Sequence, residues 1–325
     1  MRIVLNHYFS EIISIDNLLE AWKEFEKGKK KKPDVQQFSL KLMDNILSLH
    51  RDLSQGKYRH GGYESFIIND PKQRHIHKAC VRDRLLHHAV YRRLYPFFNR
   101  TFISDSFSSR KGKGTHRAVS RFRQFAGKVS ENNTKTCWVL KCDIRKFFAS
   151  INHEILFSIL ATHIKDEKVM ALLREIIESH SSFGLGTGLP LGNLTSQLFV
   201  NIYLNELDQF VKHRLRVKHY IRYADDFVFL SRDRESLERI CLEVGIFLAE
   251  KIKLKLNLDK TSIQALASGV DFLGYVIFPY HIVLRTRTKK RMFQRVSKKN
   301  KSSYLGILTH CDGYKLEEKI KTLVT

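Results

Sequence analysis

The sequence is short of acidic residues and of closely spaced cysteines. It contains 33 Asp and Glu against 57 Lys and Arg, which leaves a formal net charge of +24 at pH 7. The five cysteines lie far apart and form no CxxC pair, so they indicate neither a disulfide framework nor a zinc site. The 15 histidines have no partners at metal-ligand spacing, and we expect no zinc site among them either.

Long apolar segments are also missing. No apolar run approaches the roughly 20 residues that span a bilayer. The first residues, MRIVLNHYFSEIIS, lack the apolar stretch and the cleavage site of a signal peptide. Internal repeats and low-complexity linkers are absent from the sequence as well. We therefore expect one continuous architecture, a cytoplasmic location and no membrane partner.

Positive charge is what the sequence has in excess. A net charge of +24 favours a polyanionic partner, of which nucleic acid is the commonest. Basic residues are concentrated in KGKKKKP, Lys27 to Pro33, and in the tail that follows Leu284. Such runs also form solvated surfaces, so the charge favours nucleic acid without showing where it binds.

Two adjacent aspartates, Asp225 and Asp226, lie in the middle of the apolar segment HYIRYADDFVFLS, His219 to Ser231. The alternating aromatic and β-branched residues on both sides predict a core hairpin with the two acids at its turn. A plain tight turn is one interpretation, because Asp is common in turns. A divalent-metal site is the other, because buried carboxylates are unfavourable unless they are paired or bind a cation.

A third aspartate, Asp143, is predicted to join them. The segment from Thr136 predicts a strand that ends at Asp143, followed by a helix that begins near Asn152. The order strand, helix, hairpin, helix, strands predicts an α+β fold with an antiparallel, ferredoxin-like sheet covered by helices on one face. Three converging carboxylates can hold two Mg²⁺ ions about 3.5 to 4 Å apart, as phosphoryl transfer requires, and Mn²⁺ suits the same ligands. A helix N-terminal cap is the alternative role for Asp143.

Other patterns predict the remaining elements. Residues 15–55 and 234–252 predict helices, and a further helix is expected from about Val81, with Leu85, Leu86, Val90 and Leu94 in the core. Ser196 is predicted to begin another helix. The segments LKLNLDKT and VDFLGYVIFPYHIVL predict strands.

The motifs resemble, in their order along the chain, those of the reverse transcriptases, from about Lys72 to Tyr275. YADD resembles the family's palm motif, and DIRKFF, which begins at Asp143, resembles its first metal-binding strand. LNLDKT and FLGY are similar to the two motifs that follow, and RHIHKACVRDRLLHHAV is similar to the fingers motif of group II intron-type enzymes. The resemblance implies an RNA-directed DNA polymerase with a right-hand fold of fingers, palm and small helical thumb.

One motif departs from the family's usual pattern. Most members carry Gln-Gly-x-x-x-Ser-Pro in the loop that contacts the nucleotide, whereas this chain has LGNLTSQ, Leu191 to Gln197. The departure is similar to the reverse transcriptases of diversity-generating retroelements, which are bacterial or phage-encoded. It implies error-prone copying of a template-repeat RNA, with frequent errors at adenine. Because Leu191 offers only apolar contact, we expect a looser nucleotide pose, unless Leu191 simply packs within its loop.

The resemblance also implies roles for individual residues. Asp143, Asp225 and Asp226 are the expected catalytic residues and bind metal together with the backbone carbonyl of Ile144. Phe148 is expected at the position that excludes a ribose hydroxyl, with core packing as the alternative. The residues expected to bind the incoming deoxynucleoside triphosphate are Lys72, Arg74, Phe148, Leu191, Gly192, Gln197 and Lys260.

Nucleic-acid contacts are expected at three places. Tyr223 should lie near the primer terminus, and Arg110, Lys111 and Lys113 could contact the template backbone. A thumb-like basic cluster is expected to bind the template and primer, with a solvated helix face as the alternative; its residues are Arg285, Arg287, Lys289, Lys290 and Arg291. Expected partners are template RNA, the cDNA primer and product, deoxynucleotides and a small basic accessory variability protein, expected to be oligomeric.

The predicted domains are an N-terminal helical extension (1–55), fingers (56–135), palm (136–284, with a fingers insert around 165–195) and a basic thumb (285–325). Only about 50 residues follow FLGY, so we expect no RNase H, endonuclease or maturase domain. The alternatives are a group II intron-type or defence-associated reverse transcriptase, or a catalytically silent RNA-binding scaffold. The three acids argue against the scaffold.

Overall fold

The computed structural model describes Leu5 and residues 8–69, 73–182, 184 and 186–323. Two compact units make up the chain. The first comprises Met1–Ile103, Arg145–Asp208 and Phe247–Lys255, and the second comprises Ser104–Ile144, Gln209–Ile246 and Leu256–Thr325. No helix within the described residues is long and apolar enough to cross a membrane.

Thirteen α-helices are found in the described residues: α1 (Phe9–Ile13), α2 (Ile15–Glu26), α3 (Pro33–Leu40), α4 (Leu42–Ser54), α5 (Val81–Phe98), α6 (Thr115–Val129), α7 (His153–His163), α8 (Glu167–Glu178), α9 (Leu194–Gln209), α10 (Arg234–Lys251), α11 (Thr286–Arg295), α12 (Lys301–Leu308) and α13 (Tyr314–Leu323). Nine strands accompany them: β1 (Tyr63–Ile68), β2 (Arg74–Ala79), β3 (Trp138–Cys142), β4 (Tyr220–Tyr223), β5 (Asp226–Ser231), β6 (Ser262–Ala265), β7 (Val270–Phe272), β8 (Tyr275–Ile277) and β9 (Ile282–Leu284).

The first unit is built around α5, which packs against the N-terminal helices α1, α2 and α3. The four predicted core residues, Leu85, Leu86, Val90 and Leu94, are all fully buried. Asn17 on α2 is buried too, and its side-chain amide donates to the backbone oxygens of Ile12 and Ala89. The antiparallel hairpin of β1 and β2 leads directly into α5.

The second unit contains a four-stranded antiparallel sheet in the order β4-β5-β3-β6. Numbered along the chain as strands 1 to 4, this is the order 2-3-1-4, which is the ferredoxin-like arrangement read from the other edge. The inward side chains of β3 and β5, Val139, Val228 and Leu230, join a buried cluster with α6. The predicted α+β class and antiparallel sheet are therefore confirmed.

A small three-stranded sheet, β7-β8-β9, continues the same core toward the C-terminal helices. Tyr275, Ile277 and Leu284 are buried there with Met292 of α11 and Leu308 of α12. The basic tail is thus helical and attached to the sheet by apolar contacts. Each of the three tail helices contributes one buried residue: Met292 in α11, Leu308 in α12 and Ile320 in α13.

Three expectations need correction. LKLNLDKT does not form a strand: Leu258–Lys260 is a 3-10 turn, and the strand begins afterwards at Ser262. The 3-10 turn forms instead of a strand because the backbone oxygen of Asn257 accepts hydrogen bonds from Lys260 N and Thr261 Oγ1. Helix α9 begins at Leu194 rather than Ser196, and α10 ends at Lys251, one residue early.

Candidate active site

Strand pairing brings the three predicted acids to one end of the four-stranded sheet. Cys142, the last residue of β3, pairs with Phe227 of β5, so Asp143 follows one strand where Asp226 begins its neighbour. Tyr223 pairs with Asp226 in the β4-β5 hairpin, which leaves Ala224 and Asp225 as its two-residue turn. The predicted hairpin with acids at its turn is therefore present.

The hairpin turn is held in an unfavourable backbone conformation. Ala224 has a φ of 54°, in the left-handed region that disfavours residues with a Cβ. Its carbonyl accepts a hydrogen bond from Nη1 of Arg222, at 3.4 Å, and Arg222 is fully buried. Backbone hydrogen bonds from Arg222 N to Asp105 O and from Phe107 N to Arg222 O attach a loop along β4. Arg222 thus stabilises the turn that presents Asp225.

The carboxylates of the site repel one another. Burial, followed by the neighbouring charges of Asp226 and Asp143, raises the pKa of Asp225 to about 6. A carboxyl group with a raised pKa is one whose charged form lacks sufficient compensation. A divalent cation supplies such compensation, and hard carboxylate oxygens are the ligands that Mg²⁺ prefers.

Asp143 is bound by the segment LNLDKT. Its Oδ1 accepts hydrogen bonds from Nζ of Lys260 at 2.8 Å and from Nδ2 of Asn257 at 3.1 Å. Asp143 is buried, and its carboxylate does not cap α7, the next α-helix, because Asn152 caps that helix. Partial burial works to lower the pKa of Lys260, but the bond to Asp143 outweighs it and raises that pKa. Lys260 therefore keeps its proton and its charge at neutral pH.

The metal-ligand set stays a prediction. Within the described part of the chain, no group of three or more His, Cys, Asp or Glu side chains is placed to hold a metal ion. The carboxylates nevertheless fit a divalent cation by chemistry, because burial and the neighbouring carboxylate charges leave the charged form of Asp225 without sufficient compensation. Ile144, whose carbonyl is the fourth predicted ligand, lies in an isolated antiparallel bridge with Leu256.

The predicted nucleotide loop lies against strand β2 in the first unit. His77 N donates to Leu191 O at 3.0 Å, so the loop is attached to the strand on which Arg74 is exposed. Gly192 has a φ of 117°, and a Cβ there would lie 3.1 Å from Cγ2 of Ile76. The positive φ strains any residue with a Cβ, and the close approach to Ile76 adds to the preference for glycine.

The other predicted nucleotide-binding residues of the first unit differ in exposure. Leu191 and Phe148 are half-buried and Gln197 is exposed. The backbone oxygen of Phe148 accepts a hydrogen bond from Leu189 N at 2.8 Å, close to the same loop. Lys72 lies outside the described residues.

Two of the three basic side chains in the predicted template loop contact neighbouring residues of the same segment. Nη1 of Arg110 donates to Ser106 O, and Nζ of Lys113 donates to Ser104 O at 2.7 Å and lies over the Phe107 ring. Lys111 is exposed. The hydroxyl of Tyr223, the predicted primer-contact residue, accepts a hydrogen bond from Thr115.

The predicted thumb cluster is not uniform. Arg285 precedes α11 and is paired with Asp271, so it ties the small sheet to the helix. Arg287 and Lys290 are exposed, whereas Lys289 and Arg291 are half-buried. Sequence reasoning also missed Arg222 and Asn257. An arginine within the apolar run YIRY was the available signal for the first, and Asn257 carried no comparable signal.

Comparison with known proteins gives a consistent result. The family described as reverse transcriptase (RNA-dependent DNA polymerase) matches residues 69–277. Protein YkfC of Escherichia coli is 28% identical over 255 residues, which cover 67% of this chain and 65% of that protein. Group II intron-encoded protein LtrA of Lactococcus lactis is 24% identical over 308 residues, covering 72% of this chain and 50% of that protein. The chain thus spans half to two thirds of these relatives.

Solved structures support the fold. Apo telomerase from Candida tropicalis, truncated from its C-terminal domain, has a TM-score of 0.52 at 13% identity, over 75% of this chain and 60% of that one. Telomerase from Candida albicans, in complex with a fragment of telomeric RNA, has a TM-score of 0.54 at 13% identity, over 71% and 46%. The predicted right-hand polymerase fold is confirmed.

The family match covers more than half of the chain and includes β3, β4 and β5 with all three acids. The sheet order, the carboxylate cluster and the fold likeness agree with it. The chain belongs to the reverse transcriptase family.

Proposed function

We propose that the chain is an RNA-directed DNA polymerase that adds deoxynucleotides to a primer 3′-hydroxyl on an RNA template. The observation that carries the proposal is the convergence of Asp143, Asp225 and Asp226 at one end of an antiparallel sheet, where burial and the neighbouring carboxylates raise the pKa of Asp225. A hairpin turn with only a structural role would not require Asp143, a third acid, beside Asp225 and Asp226.

Each residue has a defined task in this proposal. Asp143, Asp225 and Asp226 would hold two Mg²⁺ ions, which when bound would supply the positive charge that phosphoryl transfer needs. Lys260 keeps its proton and adds positive charge beside Asp143. Arg74 and Lys72 bind the triphosphate, and the loop that contains Leu191 and Gly192 positions the nucleotide. The expected partners are template RNA, primer and product cDNA, and deoxynucleotides.

Single-nucleotide addition to a DNA primer on an RNA template tests the proposal. Asp225→Asn and Asp226→Asn should each lower the rate at least 100-fold. Each substitution removes a carboxylate charge that would hold Mg²⁺, and with the metal ion the positive charge needed at the transition state is lost. Asp259→Asn is the matched control, since Asp259 is exposed in the turn that carries Lys260. Equal rates in the control and the site variants would contradict the proposal.

We further propose that the chain is the reverse transcriptase of a diversity-generating retroelement, with low fidelity at template adenine. The support is Leu191 in place of the usual Gln and Gln197 in place of the usual Pro. This reading also implies the oligomeric basic accessory protein, a bacterial or phage origin and the cytoplasm. A group II intron-type enzyme is the second candidate, favoured by the likeness to LtrA.

Sequencing of cDNA separates the two candidates. Wild-type products should carry substitutions concentrated opposite template adenines, and Leu191→Gln should reduce them, because the amide can hydrogen-bond the nucleotide. Leu194→Gln is the control, since it adds the same side chain three residues further along the loop and helix. Faithful wild-type cDNA would favour the intron-type enzyme.

A further inference from the structure

Asn257 contacts Asp143 through both its backbone and its side chain. Its backbone N–H donates to Asp143 O at 2.8 Å, and its Nδ2 donates to Oδ1 of the Asp143 carboxylate at 3.1 Å. The adjacent residues Ile144 and Leu256 form an antiparallel bridge that places the two segments side by side. Two points of attachment define both the position and the rotation of the carboxylate.

The two donors to this carboxylate share one oxygen. Nζ of Lys260 also binds Oδ1, at 2.8 Å, and none of the described residues donates a hydrogen bond to Oδ2. An oxygen with two donors is a poor ligand for a cation, because its lone pairs are already used. The arrangement leaves Oδ2 as the oxygen that can bind metal.

Asn257 also positions the lysine. Its backbone oxygen accepts a hydrogen bond from Lys260 N at 3.0 Å and another from Oγ1 of Thr261, also at 3.0 Å. These bonds close the 3-10 turn Leu258–Lys260. One residue therefore sets the orientation of Asp143 and the place of the charge beside it.

We propose that Asn257 is a positioning residue, which holds Oδ1 of Asp143 so that the carboxylate binds the catalytic metal through Oδ2 alone. The inference rests on the proposed polymerase function, because it takes Asp143 as a metal ligand. Hydrogen-bond partners of metal ligands typically change metal affinity 10- to 100-fold when they are removed. An amide suits this place because it donates to a carboxylate without adding a negative charge to the site.

Direct binding of Mn²⁺ to the full chain tests the inference without any polymerase assay. The electron paramagnetic resonance signal of free Mn²⁺ reports the affinity of wild type, Asn257→Leu, Asn257→Ala, Asp143→Asn and Asp143→Asn/Asn257→Leu. Asn45→Leu is the matched control. The Asn45 amide also donates one hydrogen bond, to Phe38 O, but it belongs to the first unit, whereas Asp143 belongs to the second. Thermal unfolding identifies any variant that does not fold, and the alanine variant then replaces the leucine variant.

We expect Asn257→Leu to weaken Mn²⁺ binding about 10-fold, and to have no further effect once Asp143 is already Asn. An additive loss in the double variant would overturn the inference, since Asn257 would then act independently of Asp143. If Asp143→Asn weakens binding and Asn257→Leu does not, the positioning role is wrong and the metal site stands. If Asp143→Asn has no effect, both the metal site and the positioning role are wrong.

Discussion

Asp225 shows how a single residue can indicate a site. Its raised pKa follows from burial and from two neighbouring carboxylates, and both causes arise from its place at a hairpin turn beside β3. The acids were predictable from sequence because charged residues stand out in apolar strands. Asn257 was not, because its role depends on a bridge between segments more than 100 residues apart, which local patterns do not show.

Gly192 is the residue in the nucleotide loop whose replacement has the clearest expected cost. Gly192→Ala should lower the free energy of unfolding by about 1 to 3 kcal/mol, because alanine is strained at a φ of 117° and its Cβ would crowd Ile76. Chemical denaturation measures the change. Gly306→Ala is the matched control: it lies in helix α12 with open space around it, so that variant should be neutral or slightly stabilised. Equal effects in both variants would contradict the role of backbone conformation.

At the scale of elements, the strongly periodic segments form the helices and strands that their sequence predicts. Helix α5 begins at the predicted Val81, and the YADD hairpin forms with the predicted acids at its turn. LNLDKT differs because its alternation resembles a strand, whereas the capping bonds of Asn257 favour a 3-10 turn. Side-chain and backbone capping of this kind competes with strand pairing and is not visible in hydrophobic periodicity.

Helix α5 also carries a pH-dependent contribution to stability. Burial lowers the pKa of His87 to about 3, with His60 nearby as a further cause, and burial with Lys29 lowers the pKa of His88 to about 4. Below a pH of 6.5 the unfolded chain binds protons that the folded chain does not. The free energy of unfolding should therefore fall as the pH decreases from about 6.5, by up to about 1.4 kcal/mol per pH unit for His87.

Denaturant unfolding between pH 4.5 and 8 checks this expectation. A variant with His87→Gln and His88→Gln should show a shallower decrease on the acid side, because it has no proton to take up at these positions. His213→Gln is the matched control, since His213 is exposed. An unchanged acid limb in the double variant would show that other groups determine it.

At the scale of the whole molecule, charge is the property most directly related to partners. The net charge of +24 predicts strong, salt-dependent binding to nucleic acid. The ferredoxin-like sheet was predictable because element order limits topology, whereas the helical tail was implied only by the family resemblance. The pairing of Arg285 with Asp271 was not predictable, since composition cannot distinguish a structural arginine from a binding one.

The basic tail offers a test of that distinction. Lys290→Ala should weaken binding to an RNA–DNA duplex and reduce the slope of log affinity against log salt by about 1. Arg285→Ala should instead lower the thermal stability, because it removes the ion pair that links Asp271 of β7 to the start of α11. Fluorescence anisotropy across salt concentrations and thermal unfolding measure the two effects. A full change of slope in Arg285→Ala without loss of stability would contradict the assignment.

The most direct measurement combines RNA binding and DNA synthesis in one preparation. Wild-type chain and the Asp225→Ala/Asp226→Ala variant are each incubated with a defined RNA, a DNA primer and deoxynucleotides, with and without Mg²⁺. We predict that both bind the RNA, and that only the wild-type chain with Mg²⁺ yields cDNA complementary to the template. Tight RNA binding with no metal-dependent product from the wild-type chain would contradict the polymerase assignment and favour the silent scaffold.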